Sequence, residues 1–232
     1  SNNTNDGFGH GTFVAGIASA KTNNATGIAG ISGGWASSGS KLMPVRIVKN
    51  TSALANGILY AAENGADIIQ MSLCIIPSAA IDSALQAAYQ NHGVFIIDAS
   101  GNCPQCGACN VVSYPASNPF VFAVGATNPN DTKRSSSMFG PNLEVAAPGT
   151  NIFSTFVSNS YNFGSGTSFA SPQVSGLAAL MLSVNTTLTN DEIGTILRIT
   201  ADKVGGYNYN WDTTRPGHSL ELGYGRINAF AT

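Results

Sequence analysis

The chain has 232 residues, enough for one domain with a full core, and carries a net charge of −2. Only 9% of its residues are charged, so no basic face invites nucleic acid or an anionic membrane surface. Its apolar runs are too short for a transmembrane helix.

Residues Ser1 to Gly9 are polar and turn-like, and they run into His10-Gly11-Thr12 and an apolar helical stretch, Phe13 to Ala20. A packed helix this close to Ser1 raises the expectation that a further segment precedes it. Thr22 to Ile31 is a loop rich in Gly and Asn. Leu42 to Val48 reads as a buried strand, Ala53 to Glu63 as a helix, and Asp67 to Leu73 as a second strand. A helix over Ile81 to Asn91 and a third strand over Val94 to Ile97 follow. Cys103 to Asn110 is irregular, and Phe120 to Ala126 and Leu143 to Ala147 read as further strands. Gly166 permits a tight turn, after which Ser168 opens a helical run, Phe169 to Leu182, rich in Ala, Leu, Met and Val. Asp191 to Thr200 is a late helix. Strands alternating with helices predict a three-layer α/β/α fold with a mostly parallel central sheet, as one domain over residues 1–232. Sparing use of Lys and Glu, with much Gly, Ser, Asn and Thr, fits a secreted, loop-rich enzyme.

Three positions have the setting for chemistry. Ser168 lies at a helix N-terminus, where free N–H groups and the dipole favour developing negative charge, as a nucleophile needs. An N-cap serine on a core helix is the bland alternative. His10 opens a helix between two glycines that leave its imidazole uncrowded, whereas His92 and His218 read as caps or surface groups. Asn102 follows a buried strand, where open α/β folds place ligand sites, and its amide could donate to an oxyanion. A turn asparagine is the alternative there.

HGTFVAGIA from His10, ASGN from Ala99 and GTSFASPQVSGLAAL from Gly166, in this order, resemble the subtilisin-like serine proteases, the subtilases. Met71-Ser72-Leu73, Tyr114-Pro115-Ala116, Ala147-Pro148-Gly149 and the closing run Gly223 to Ala229 strengthen the resemblance, which covers essentially the whole chain. It implies an endopeptidase acting on polypeptides, with His10 as general base and acid and Ser168 as nucleophile. Asn102 and the Ser168 N–H would form the oxyanion hole. Ser72-Leu73-Cys74 and Ala99-Ser100-Gly101 would wall the main specificity pocket, with Cys74 where a glycine is usual. The segment Lys49 to Ser52 is shorter than the family's substrate-pairing loop.

The family orders its triad Asp, His, Ser, and this chain begins too late to contain the aspartate. Asp6 sits four residues before His10 and does not match that position. Asp98 ends an apolar strand and reads as structural, or as tuning the substrate wall, rather than as a replacement orienter. The expectation is therefore a protein cut before Ser1, in which a short N-terminal chain bearing the aspartate stays docked.

Cys74, Cys103, Cys106 and Cys109 could ligate a metal or an iron–sulfur cluster, while an even count in a secreted or periplasmic protease favours two disulfides. Three pairings stay open. The loop from Thr22 to Ile28 resembles the family's strong calcium site, with Asn24 contributing its amide and Thr22, Thr26 and Ile28 their carbonyls. A plain Asn/Gly turn is the alternative. A weaker cation site is conceivable around Ala116, Asn118, Val121 and Glu144. The competing functional class is a subtilase-like binding or assembly module without catalysis.

Overall fold

Four parallel strands form the central sheet of the computed structural model, which describes residues 5–35, 38–47 and 50–232. They are β1 (Ile68–Met71), β2 (Phe95–Ala99), β3 (Phe122–Thr127) and β4 (Val145–Pro148), paired in chain order. Period-two alternation sends neighbouring residues to opposite faces, so Ile96 and Ile97 serve different cores. On one face α2 (Thr51–Glu63) and α3 (Ala79–His92) pack Leu54, Ile58, Ile81 and Leu85 against Ile69 and Ile96. On the other, α4 (Thr167–Val184) and α5 (Asn190–Ile199) pack Val174, Leu177, Ile193 and Leu197 against Ile97, Val124 and Val145. This is the expected three-layer α/β/α arrangement.

Helix α1 (His10–Ser19) lies outside those layers. It packs on α4 through Phe13 against Phe169, with ring centroids 4.4 Å apart. It also leans on a hairpin, β5 (Ile152–Phe156) with β6 (Ser160–Gly164). There Ser154 Oγ and Thr155 Oγ1 donate to the Phe13 and Thr12 carbonyls, each at 2.8 Å. The sequence reading missed this hairpin, whose turn uses left-handed Ser158 and Asn159 in place of an Asn-Gly signal.

One expected strand is not formed. Of Leu42 to Val48, Val48 lies outside the described residues, and the remainder joins no ladder. Leu42, Met43 and Val45 are exposed, while Ile47 packs against the α2 cluster. An apolar run becomes a strand only where a neighbour takes up its N–H and C=O groups. Within the described residues β1 pairs with β2 alone.

Candidate active site

Helix α4 sets the position of Ser168. Its N-cap, Gly166, has φ 152°, outside the range comfortable for a side chain, and offers no side chain of its own to cap the first turn. Those N–H groups therefore lie where a ligand or neighbour can use them. Pro172 inside the helix has no N–H to give the carbonyl of Ser168 four residues earlier. Ser72 Oγ takes that place, donating to Ser168 O at 2.9 Å. Gln70 Nε2 in turn donates to Ser72 Oγ at 2.8 Å and to Ser171 Oγ at 3.2 Å. A helix interruption thus ties a predicted substrate wall to the predicted nucleophile. The proline within an apolar helical run was the available signal for it.

His10 is the first residue of α1 and is half-buried, with its ring 5.9 Å from that of Phe169, the residue after Ser168. Gly9 before it has φ 88° and abuts the Phe156 ring, so a side chain there would both strain and clash. Asp6 clips this turn together. Its carboxylate accepts from Phe8 N, Gly9 N, Thr12 N and Thr12 Oγ1 at 2.7–3.0 Å. Partial burial raises the acid's pKa, but these four donors together outweigh it and hold the group at about 2. Asp6 is thus a helix-capping anion.

Asn102 lies beside the turn that precedes Ser168. Its Oδ1 accepts from Thr167 N at 3.2 Å, which directs the amide NH2 as the remaining donor. Its own carbonyl accepts from Cys106 N at 2.9 Å. The cysteines pair as Cys74–Cys106 and Cys103–Cys109, which removes the metal and iron–sulfur readings. Cys74 is therefore bound to the loop after Asn102 and is not a free group beside the pocket. Ser72 and Leu73 continue β1, and Ala99, the last residue of β2, leads through Ser100 and Gly101 toward that same loop. Asp98, just below, is fully buried. Burial pushes its carboxyl well above the usual range, against the lowering effect of the Leu73, Ala99 and Ala116 N–H groups.

The loop bearing Thr22, Asn24, Thr26 and Ile28 alternates through left-handed Asn23, Ala25 and Gly27, with φ of 53°, 56° and 64°. Asn24 Oδ1 accepts from Thr26 N at 3.1 Å, and Thr22 Oγ1 is buried without a partner. These oxygen-only donors suit a hard cation such as Ca²⁺. The weaker cation site does not fit. Glu144, its carboxylate, is bridged by Arg198 at 2.5 Å and Arg215 at 3.1 Å, and two guanidinium groups repel a further cation. His218 is another correction, since it is fully buried and not at the surface. Trp211 Nε1, which can only donate, gives its proton to His218 Nδ1, so Nε2–H donates to Leu143 O.

Comparison with known proteins identifies the family. Residues 1–225 match the model of the subtilase family of S8 peptidases. Subtilisin DY of Bacillus licheniformis is 40% identical over 205 residues, covering 88% of this chain and 74% of that protein. Thermitase of Thermoactinomyces vulgaris is 37% identical over 231 residues, covering 97% and 75%. A protease structure from Pseudoalteromonas arctica PAMC 21717 superposes with a TM-score of 0.77 at 30% identity, over 96% of this chain and 69% of that one. The chain belongs to the subtilase family and is a serine endopeptidase.

Proposed function

We propose that Ser168, His10 and Asn102 carry peptide hydrolysis. One observation bears most of this reading: within one residue of Ser168, His10 meets Phe169, Asn102 holds Thr167 N, and Ser72 holds the Ser168 carbonyl. Ser168 Oγ attacks the scissile carbonyl carbon while His10 takes its proton. The resulting oxyanion sits between the Asn102 amide and the Ser168 N–H in the first turn of α4. His10 returns the proton to the leaving amine, and water then releases the acyl group from Ser168 by the same path reversed. The peptide lies between residues 72–74 and 99–101.

The aspartate that orients His10 belongs, in this reading, to a short chain cut away before Ser1 and docked along β1. One fact supports it: neither the outer side of β1 nor the apolar run 42–47 has a ladder partner within the described residues. The molecule is secreted or periplasmic in this account, in keeping with its two disulfides. Calcium is a structural ion held by Thr22, Asn24, Thr26 and Ile28.

An organophosphorus fluoride should label Ser168, and Ser168→Ala should abolish both labelling and hydrolysis. Asn102→Ala should lower turnover by about 10²–10³, the magnitude measured for this donor in subtilisin itself. Hydrolysis surviving in Ser168→Ala would refute the assignment. No labelling of the intact protein would instead promote the binding-module reading. Excess chelator should lower the thermal midpoint, because an ion bound only by the folded state stabilises it. An unchanged midpoint would remove calcium.

A further inference from the structure

The ladder between β1 and β2 ends at the pair Met71–Asp98. Beyond it the chains continue as residues 72–74 and 99–101, with no main-chain hydrogen bond joining them among the described residues. Each is supported from its own side. Ser72 Oγ donates to Ser168 O and Ile75 N to Tyr114 O, while Ser100 O accepts from both N and Oγ of Ser113. A single side-chain hydrogen bond crosses the fork: Asp98 Oδ1 accepts from Leu73 N at 3.3 Å and from Ala99 N at 2.8 Å. An atom within hydrogen-bond reach of both chains lies between them, at the base of the fork. Asp98 is 0% exposed, and its Oδ2 has no hydrogen-bond partner. A buried carboxyl oxygen left unpaired costs folding energy that an alanine at this place would not incur. Through Oδ1 the group bridges the two chains, and its bulk fills the space beneath them.

We infer that Asp98 is a specificity-determining residue, closing the slot between residues 72–74 and 99–101 from below and fixing its width. A buried side chain at the base of the fork limits how far a substrate side chain can enter, which favours shorter aliphatic groups over aromatic ones on the N-terminal side of the scissile bond. Asp98 acts through the two walls and through the volume it occupies, not through the reacting atoms. This inference rests on the peptidase reading for the identity of the slot.

The test compares tetrapeptide amides ending in Leu or Phe, using kcat/KM for the intact protein, Asp98→Ala and Asp98→Asn. The intact protein should favour Leu. Asp98→Ala deepens the slot and should raise the Phe-to-Leu ratio about tenfold, the scale on which a pocket senses small changes in side-chain size. Asp98→Asn keeps the volume and an acceptor for Leu73 N, so its ratio should stay within about twofold of the original. A purely structural role would lower stability without moving the ratio. A Phe preference in the intact protein, or an unmoved ratio in Asp98→Ala, overturns the inference. Should Asp98→Ala not fold, the intact protein's preference and the Asp98→Asn ratio still decide. Equilibrium binding of the free tetrapeptides to Ser168→Ala reads the slot without chemistry. No turnover in the intact protein, whichever peptide binds, sinks the peptidase reading and this inference with it. Equal or tighter binding of the Phe peptide sinks this one alone.

Discussion

The two edges of the sheet are treated very differently. Along β4, residues 224–227 supply further main-chain bonds: Tyr224 N to Glu144 O, Ala146 N to Gly225 O, and Ile227 N to Ala146 O, at 2.7–2.9 Å. Arg226 locks that segment to Asp131 at 2.6 Å and Asp202 at 2.8 Å, and buried His218 plugs the end beside Leu143. Along β1 no described residue pairs on the outer side, and Leu42 and Met43 stand 54% and 41% exposed. Open parallel edges with apolar residues beside them invite another strand. Residues 224–227 extend the sheet at one edge, the apolar run 42–47 joins no ladder at the other, and the difference is the partner.

The largest effect should come from the open edge. If the proposed docked chain is stripped under mild denaturant and the refolded larger chain assayed alone, turnover should fall by about 3 × 10⁴, the cost of losing the triad aspartate in subtilisin. Adding the small chain back should restore it. Full activity in the stripped protein would break the comparison, because β1 would then need nothing beside it.

A smaller effect should come from the sealed edge. Burial drives the His218 pKa down to about 4, assisted by the Arg215 cation and opposed by the bond to Leu143 O. An unfolded histidine takes up its proton near pH 6.5, so the folded state alone refuses it below that. Stability should therefore be full above about pH 6.5 and decline by up to about 3 kcal/mol as pH falls to about 4. Thermal midpoints measured from pH 7 to 5, where most carboxylates stay ionised, should drop in the intact protein and stay flatter in His218→Gln. Identical curves would show that the β4 edge does not depend on this neutral imidazole.

Much of this architecture is legible in the sequence. The long Ala- and Leu-rich helices and the apolar strands after Ala66 and Gly93 carry their own period, and α4 announces itself through Gly166 and the run after it. What is not legible depends on groups distant in sequence. Leu42 to Val48 has the strand pattern, but pattern does not supply a neighbour. Nothing around His218 marks it as buried, because Trp211 and Leu143 are brought to it only by the fold. The cysteine spacing leaves three pairings, and the approach of the 72–74 wall to the loop after Asn102 selects Cys74–Cys106. At the site, His10, Asn102 and Ser168 are readable from local setting and resemblance. The ties among them run through Pro172, Ser72 and Asp6, whose roles appear only once the chain is folded.

The central proposal is that a second strand carrying the aspartate partner of His10 pairs with β1. Denaturing mass spectrometry of the purified, active protein tests it most directly. The account predicts two species at equal stoichiometry, this chain and a smaller peptide with an aspartate in an apolar strand sequence. A single folded species of 232 residues without peptidase activity would contradict it.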